Sequence, residues 1–359
     1  MIVPVVLCIN NGYTKQATVV MYSALSNACL DTKYQFFLLT HDLTLDNISF
    51  IKSKINGHKN LQSLEVRFIS DSDFESIPLV GGFGKETNFR LFIPKYFPEL
   101  DKAIYIDSDT MILGDLTEVF STDIQDKCYA ACSEKRLYMY FWNPAVNFIY
   151  HSKFKFFNKL GINILDENTH YTNAGVMLIN VKYWIAHNYL NRALDFLTKF
   201  KDDPNFRCPD QETLNYLSIE DGSQSRVFLD WKYNVSCDFI VKDVDIENLM
   251  QQTHFRALFY DEVELKKVQP VVVHYAGVVR PWEGGKTLYA ETYKMYASEI
   301  GWTFKQNFLQ RTAYVVLKFI KTVVLFLTPH GIVEWCKKNI LLLKKFTPKF
   351  IVKLIKKII

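Results

Sequence analysis

The chain has 359 residues, of which 49% are hydrophobic and 15% aromatic, enough apolar material for one large domain with an appendage. Residues 1–304 carry 30 basic and 37 acidic side chains, a formal charge of −7, whereas residues 305–359 carry 12 basic side chains and one acidic, a formal charge of +11. Because the main region is acidic and shows no nucleic-acid-binding module, nucleic acid is excluded as its partner. We therefore predict a domain over residues 1–304 and a basic tail over residues 305–359.

The first part of the chain consists of apolar runs separated by segments whose apolar residues have helical spacing. Runs at residues 3–9, 34–40, 66–69 and 103–106 predict buried strands. Apolar side chains recur at helical spacing in residues 14–28 and 42–55, where Thr44 or Asp42 is available as an N-cap. Strands that alternate with helices are typical of a parallel sheet with crossover helices. The carboxyl ends of these strands therefore share one edge, which carries Asn10, Gly12 and Asp107.

A glycine-rich segment, GGFG at residues 81–84, precedes a predicted helix that carries Arg90. Its spacing fits neither the GxxxxGK[ST] pattern of a P-loop nor the GxGxxG pattern of a dinucleotide-binding fold. We therefore exclude both of these nucleotide-binding functions.

Acidic and imidazole side chains follow two of the apolar runs. Asp107 and Asp109 come directly after the run 103–106, and two carboxylates so close repel each other unless a cation joins them. Further along, QPVVVHYAG places His274 directly after the run 271–273. Two carboxylates and a single imidazole suit Mn²⁺ or Mg²⁺ better than tetrahedral Zn²⁺, and they leave positions open for phosphate oxygens. Taken singly, the same residues also fit a solvated turn and an ordinary strand-end histidine.

Two further segments carry polar residues at the ends of predicted elements. The sequence HYTNAGVMLIN places a turn of small residues at 173–175 before a predicted strand at 176–179. In CPDQETLNYL, Asp210 and Gln211 follow a proline at the start of a predicted helix, where the helix dipole favours an acid. Taken alone, these residues would be a turn and a helix-start acid.

Together these motifs resemble the retaining nucleotide-sugar glycosyltransferases of family 8, which include bacterial lipopolysaccharide galactosyl- and glucosyltransferases and glycogenin. The matching segments are FRLFIP with Arg90, YIDSDTMILGDL with Asp107 and Asp109, NAGVMLIN with Asn173, Gly175 and Asn180, PDQETLN with Asp210 and Gln211, and HYAGVVRPW with His274, Gly277, Arg280 and Trp282. The order and spacing of all five agree over about residues 3 to 285, which makes the resemblance specific.

The resemblance implies a GT-A fold, that is, an α/β nucleotide-sugar-binding fold with a Rossmann-like central mixed sheet and flanking helices, here followed by C-terminal basic amphipathic helices. It also implies a UDP-sugar donor and Mn²⁺, with Mg²⁺ as the alternative, held by Asp107, Asp109 and His274. The positions implied for donor binding are Asn10, Tyr13, Arg90, Asp107, Ser108, Asn173, Gly277 and Arg280. Arg280 stands where the family usually has lysine. The positions implied for catalysis are Asp210 and Gln211. A covalent adduct and front-face attack by the acceptor hydroxyl both stay open as routes to retention.

The loop after the first predicted strand departs from the family pattern. Family members usually carry an acidic DDNY-like sequence there, which binds uracil and ribose, whereas this chain has Asn10-Asn11-Gly12-Tyr13. Asn10 can still form a hydrogen bond with a uracil edge, and Tyr13 can stack on a base. UDP therefore stays the expected nucleotide although the carboxylate is missing.

The basic tail ends in an amphipathic pattern. In KFIVKLIKKII, Ile351, Leu354, Ile355 and Ile358 fall on one face of a helix and the lysines largely on the others, which is typical of a helix in an anionic membrane interface. The upstream run AYVVLKFIKTVVLFL is interrupted by lysines and falls short of the roughly 18 uninterrupted apolar residues of a spanning helix. We predict peripheral attachment, with a helical lid packed on the core as the alternative.

These features predict a metal-dependent, retaining hexosyltransferase that moves galactose or glucose from a UDP-sugar to a lipid-linked or cell-surface glycan such as lipopolysaccharide. Its partners are then the donor, a glycan or glycolipid acceptor and an anionic membrane surface. The seven cysteines show no CxxC spacing and residues 1–13 lack a secretory signal, which predicts a cytoplasmic enzyme on the inner face of the membrane. The alternatives are a non-catalytic nucleotide-sugar-binding or membrane-docking protein and a glycogenin-like self-glucosylating enzyme.

Overall fold

The computed structural model describes residues 1–80, 84–134, 148–164, 166, 169–222, 224–236, 269–276, 280–283, 287 and 289–304. Gly277 and the whole basic tail at 305–359 lie outside the described residues, so the predictions made for them stay predictions. Among the residues that are described, no helix combines the length and the apolar character that crossing a membrane requires.

The strands of the described chain form two sheets. They are β1 (Ile2–Cys8), β2 (Lys33–Thr40), β3 (Leu61–Phe68), β4 (Lys102–Ile106), β5 (Thr110–Ile112), β6 (Tyr129–Ser133), β7 (Thr172–Asn180), β8 (Arg226–Leu229), β9 (Val235–Ser236) and β10 (Val272–His274). The large sheet has the order β3-β2-β1-β4-β7-β6-β8 and the small sheet the order β5-β10-β9. The first four strands run parallel, while β7 is antiparallel to both β4 and β6. The predicted α/β fold with a central mixed sheet is confirmed.

Helices flank the large sheet. Those in the described residues are α1 (Thr14–Ser26), α2 (Leu45–Ile55), α3 (Asp71–Ser76), α4 (Ile93–Tyr96), α5 (Thr117–Ser121), α6 (Phe148–Lys159), α7 (Val181–Ala186), α8 (Tyr189–Phe200), α9 (Pro209–Glu220) and α10 (Ala290–Glu299). Short 3-10 helices cover Asn11–Tyr13, Lys85–Phe92, Trp231–Tyr233 and Pro281–Glu283. The helices predicted at 14–28 and 42–55 are confirmed as α1 and α2, and Thr44 caps α2 by accepting a hydrogen bond from the Asn47 N–H at 3.4 Å.

The apolar runs are continuous because the central strands are buried on both faces. In β7, Val176 and Leu178 face one apolar cluster, while Met177 and Ile179 face the other. One cluster includes side chains of α1 and α2, and the other includes side chains of α7, α8 and α9. The large sheet is therefore the middle of three layers, and both of its faces are occupied by helices. In sheets of this kind, ligands bind at the carboxyl ends of the strands.

Three predicted elements differ from the structure. β3 begins at Leu61 rather than at residue 66, because this half-buried strand has a weak apolar pattern. Residues 173–175, predicted as a turn, lie inside β7, where the Gly175 carbonyl continues the hydrogen bonding to β4 by accepting the Asp107 N–H at 2.8 Å. Arg90 lies in a 3-10 helix, because Pro94 has no N–H to donate to the Arg90 carbonyl and a regular α-helix cannot continue there.

Candidate active site

Pairing between β5 and β10 brings the acidic pair and the histidine together. Asp107 and Asp109 lie in the connection between β4 and β5, at the end of β4 as predicted. β5 is antiparallel to β10, and in this register His274 lies opposite Thr110. The Tyr275 N–H then donates to the Asp109 carbonyl at 2.8 Å. His274 is therefore the last residue of β10 rather than the residue after it, and its ring lies beside both carboxylates.

The three side chains form a compact group of oxygen and nitrogen atoms that could bind a metal ion. His274 Nε2 lies 3.2 Å from Asp109 Oδ1 and 3.6 Å from Asp107 Oδ2. One ligand atom from each residue lies within 4.8 Å of the others. Burial opposes ionisation of Asp109, but attraction to the His274 ring in its charged form and to the Arg280 guanidinium outweighs burial and lowers the pKa of the Asp109 carboxyl. This donor set suits a divalent cation such as Mn²⁺ or Mg²⁺, and these three residues would hold it.

Gly175 leaves the space that this group needs. A Cβ at position 175 would lie 2.2 Å from His274 Cε1 and 2.9 Å from Asp107 Oδ2. The Gly175 N–H donates to Asn173 Oδ1 at 2.8 Å, and its carbonyl accepts the Asp107 N–H at 2.8 Å. Gly175 therefore holds the backbone of Asp107, and because it has no side chain it leaves space for the His274 ring. This close approach supports the fit of the three residues to a cation.

We expect Gly175→Ala to lower the free energy of unfolding by about 1–3 kcal/mol, because the new methyl group must displace the His274 ring. Thermal unfolding with and without Mn²⁺ checks this, and the stabilisation by Mn²⁺ should be lost as well. Gly114→Ala is the matched control, since a Cβ at that position meets only Val271 carbons at 3.4 Å or more. An alanine variant at 175 with wild-type stability and Mn²⁺ response would show that the ring lies elsewhere.

Arg90 links the acidic pair to a second buried carboxylate. Its Nη2 donates to Asp107 Oδ1 at 2.7 Å, and its Nε lies 3.1 Å from Asp210 Oδ2. Nη1 donates to the Ala174 carbonyl at 2.6 Å, and the guanidinium carbon lies 4.4 Å from the centre of the Tyr105 ring. Since Arg90 is 5% exposed, a single buried cation joins the two carboxylates.

Asp210 and Gln211 lie in the first turn of α9, as predicted. Burial raises the pKa of Asp210, and the Arg90 guanidinium opposes that shift. Gln211 Oε1 accepts a hydrogen bond from the Ala174 N–H at 3.2 Å, which ties α9 to β7. Gln211 therefore reaches β7 at Ala174, whose carbonyl Arg90 also bonds, and Asp210 is joined to the same place through Arg90.

Arg280 lies on another side of the acidic pair. Its Nη2 is 4.0 Å from Asp109 Oδ2, and its Nη1 donates to the Tyr13 hydroxyl at 3.1 Å. Arg280 Nε and Asn10 Oδ1 are buried, yet neither has a hydrogen-bond partner within the described part of the chain. The loop after β1 and the segment around Arg280 therefore meet through Tyr13, and each holds a polar atom that these protein residues leave unused.

Ser108 and Asn173 make internal contacts. Ser108 Oγ donates to the Cys8 carbonyl at 3.4 Å, which joins the ends of β4 and β1. Both polar atoms of the Asn173 amide are engaged, since Oδ1 accepts the Gly175 N–H at 2.8 Å and Nδ2 donates to Glu134 Oε2 at 2.7 Å. Donor binding by Ser108 and Asn173 stays a prediction.

Three contributions to the site were missed by the sequence prediction. Tyr105 donates its hydroxyl proton to Asp107 Oδ1 at 2.5 Å, and its position two residues before Asp107 in the extended chain could have revealed it. The Asn11 side chain holds the first loop to the start of α2. Asn234 Oδ1 lies 2.8 Å from His274 Nδ1, and no motif in the sequence indicates this contact.

Known glycosyltransferases are similar to this chain in sequence. One relative is a Haemophilus influenzae protein that is named only as a glycosyltransferase. It is 27% identical over 206 residues, which cover 56% of this chain and 55% of that protein. This chain therefore spans about half the length of that relative. A lipopolysaccharide 1,2-glucosyltransferase of Escherichia coli is 22% identical over 277 residues, covering 76% of this chain and 71% of that protein.

The architecture also matches a solved structure. The galactosyltransferase LgtC, crystallised with donor and acceptor sugar analogs, superposes with a TM-score of 0.62 at 23% identity, covering 82% of this chain and 95% of LgtC. This likeness confirms the predicted GT-A fold for the described sheet and helices. The model of glycosyl transferase family 8 matches residues 4–285, which is well over half of the sequence. The chain therefore belongs to glycosyl transferase family 8.

Proposed function

We propose that this chain is a metal-dependent, retaining hexosyltransferase, which moves galactose or glucose from a UDP-sugar to a lipid-linked or cell-surface glycan such as lipopolysaccharide. The observation that carries the proposal is the convergence of Asp107, Asp109 and His274 with Arg280 at the carboxyl end of β4. Ligands of open α/β sheets bind at this edge. Membership of the family supports the reaction class.

The leaving diphosphate needs positive charge around it. A divalent cation bound by Asp107, Asp109 and His274 would supply Lewis-acid stabilisation for the charge that develops on UDP. Arg280 adds a guanidinium whose forked donors suit phosphate oxygens, and its Nε hydrogen has no partner among the described residues. The Tyr13 hydroxyl holds Nη1 of that guanidinium at 3.1 Å, so its orientation is set before substrate binds.

The donor sugar is assigned to the side of the site formed by Arg90, Asp210 and Gln211. Asp210 then stabilises the positive charge at the anomeric carbon in an oxocarbenium-like transition state. Arg90 holds this carboxylate at 3.1 Å and Asp107 at 2.7 Å, so it fixes the position of one carboxylate relative to the other. Such fixed geometry lowers the entropic cost of reaching the transition state.

The configuration of the released sugar tests the retaining part of the proposal. Slow hydrolysis of an α-linked UDP-sugar by the wild-type protein should release the α anomer first, which proton NMR detects before mutarotation. Initial release of the β anomer would contradict retention while leaving the donor class intact.

The hexose and the acceptor are proposed from relatives. The Escherichia coli relative is named a lipopolysaccharide 1,2-glucosyltransferase, and LgtC is described as a galactosyltransferase in complex with donor and acceptor sugar analogs. These names support glucose or galactose as the transferred sugar and a glycolipid as the acceptor.

Arg280→Ala should weaken UDP binding in the presence of Mn²⁺ by about ten- to a hundredfold, because a hydrogen bond between charged groups contributes roughly 1.5–3 kcal/mol. Isothermal titration calorimetry measures the change. Arg280→Lys, which keeps the charge but not the fork, should give an intermediate affinity. Equal affinities for wild type and Arg280→Ala would remove Arg280 from the diphosphate site.

The basic tail supplies the membrane part of the proposal, with the enzyme at the cytoplasmic face. Replacing Lys353, Lys356 and Lys357 with Glu in the full chain should abolish sedimentation with anionic liposomes, since each lysine near such a surface contributes about 1 kcal/mol. Replacing the same three lysines with Arg keeps the charge and should preserve binding. Unchanged sedimentation of the Glu variant would contradict attachment through the tail.

A further inference from the structure

We infer that Asn234 is a positioning residue, which fixes the proton of His274 on Nδ1 and thereby turns the unprotonated Nε2 toward Asp107 and Asp109. This inference deepens the proposed function and rests on its metal site. Asn234 lies directly before β9, whose parallel pairing with β10 sets Ser236 opposite His274. The two strands of the small sheet therefore bring the asparagine to the side of the ring that faces away from the carboxylates.

A chain of hydrogen bonds runs from the backbone of β7 to the ring. The Gly175 N–H donates to Asn173 Oδ1 at 2.8 Å, and Asn234 Nδ2 donates to the same oxygen at 2.8 Å. Asn234 Oδ1 lies 2.8 Å from His274 Nδ1. At the far end, Asn173 Nδ2 donates to Glu134 Oε2 at 2.7 Å. Asn173, Glu134 and His274 are buried and Asn234 is half-buried, so the bonds of Asn173 to Gly175 and Glu134 are made out of contact with bulk water.

The direction of this chain is fixed at both ends. A backbone N–H can only donate, so the atom of Asn173 that faces Gly175 must be the carbonyl oxygen. The Glu134 carboxylate independently requires the amide nitrogen of Asn173 on its side. With Asn173 Oδ1 as an acceptor, Asn234 must present Nδ2 to it and Oδ1 to the histidine. Rotating either amide by half a turn would oppose two donors or two acceptors.

The direction of this chain determines which nitrogen of the His274 ring carries the hydrogen. Because Asn234 Oδ1 accepts, His274 Nδ1 carries the hydrogen, and in the neutral ring Nε2 keeps its lone pair. That lone pair lies 3.2 Å from Asp109 Oδ1 and 3.6 Å from Asp107 Oδ2, which also bear lone pairs. Three acceptor atoms facing one another repel unless a proton or a metal cation lies among them. The hydrogen-bond chain thus prepares His274 as a ligand, and an outer partner of this kind also fixes the orientation of the ring.

The first test is the affinity for Mn²⁺ alone, measured by electron paramagnetic resonance of free Mn²⁺ without any sugar nucleotide. Asn234→Leu removes the acceptor and should weaken Mn²⁺ binding by about 10- to 100-fold. Asn234→Asp keeps an acceptor for Nδ1–H but replaces the donor to Asn173 Oδ1 with a second acceptor, so its Mn²⁺ affinity should lie between those of Asn234→Leu and the wild type. Asn180→Leu is the matched control, because the Asn180 side-chain amide also donates a hydrogen bond, here to the Ile124 carbonyl at 2.7 Å, and Asn180 lies far along β7 from His274. Wild-type Mn²⁺ affinity in Asn234→Leu would overturn the inference.

The second test reads the tautomer in the metal-free protein. In protein labelled with ¹⁵N at histidine, long-range proton–nitrogen correlations at alkaline pH distinguish Nδ1–H from Nε2–H, and His274→Gln identifies the signal. Wild type and Asn234→Asp should show the Nδ1–H form, whereas Asn234→Leu should show more Nε2–H. A wild-type ring protonated on Nε2 would overturn the inference even if Asn234→Leu fails to fold. A wild type that shows Nδ1–H but binds no Mn²⁺ would instead refute the metal site of the proposed function.

Discussion

Asp109→Asn should reduce metal-dependent hydrolysis of the donor by roughly a thousandfold. Asp109 supplies one of the three ligand atoms that lie within 4.8 Å of one another, and an amide in its place carries no negative charge. Stabilisation of developing charge by a metal ion contributes several kcal/mol, which corresponds to about this factor in rate. The measurement is the rate of UDP release from UDP-galactose and UDP-glucose over a range of Mn²⁺ concentrations.

Asp101→Asn is the control for this experiment. Asp101 precedes β4 at the end opposite to Asp109, and it forms an exposed ion pair with Lys182 at 2.7 Å. The loss of an exposed pair changes stability by about 0–1 kcal/mol, so this variant should keep wild-type rates. If Asp109→Asn retained Mn²⁺-dependent turnover while Asp101→Asn behaved as wild type, Asp109 would not be a metal ligand.

Arg90→Met should lower the free energy of unfolding by about 3–5 kcal/mol, the usual cost of removing one partner from a buried ion pair. The change leaves Asp107 and Asp210, whose side chains are only 23% and 11% exposed, without the guanidinium that joins them. Methionine fills much of the space of the arginine stem, so the loss should reflect charge more than volume. Urea unfolding followed by circular dichroism measures it.

Arg67→Met is the comparison for Arg90. Arg67 also joins two carboxylates, those of Glu65 at 2.5 Å and Glu99 at 2.6 Å, but their side chains are 42% and 48% exposed. Water can solvate these carboxylates once the arginine is gone, so the expected loss is about 1 kcal/mol. Equal losses for the two variants would mean that the bridge between Asp107 and Asp210 is not held in a buried environment.

The residues proposed as metal ligands could be predicted because they lie at the ends of apolar runs. Asp107 and Asp109 end the run that forms β4, and His274 ends the run that forms β10, so local pattern alone marks both strand ends. The sequence contains no local signal for the pairing of β5 with β10, which sets the distance between the carboxylates and the ring. We inferred that the motifs belong to one site because together they resemble one family.

The parts that could not be predicted depend on contacts between distant segments. Residues 173–175 have the composition of a turn, yet they continue β7 because the backbone of Gly175 bonds Asp107 and its missing side chain admits His274. The contact of Asn234 with the ring requires β9, β7 and β10 to be in place at once. Residues 61–65 lack a clear alternation because β3 is half-buried at the edge of the sheet.

The most direct test of the central claim is hydrolysis of a panel of nucleotide sugars by the wild-type protein with Mn²⁺, Mg²⁺ or EDTA. The account predicts slow release of UDP from UDP-galactose or UDP-glucose with Mn²⁺ and none with EDTA, and loss of that release in Asp109→Asn. Hydrolysis that proceeds equally in EDTA would contradict the assignment of Asp107, Asp109 and His274 as a metal site that drives the reaction.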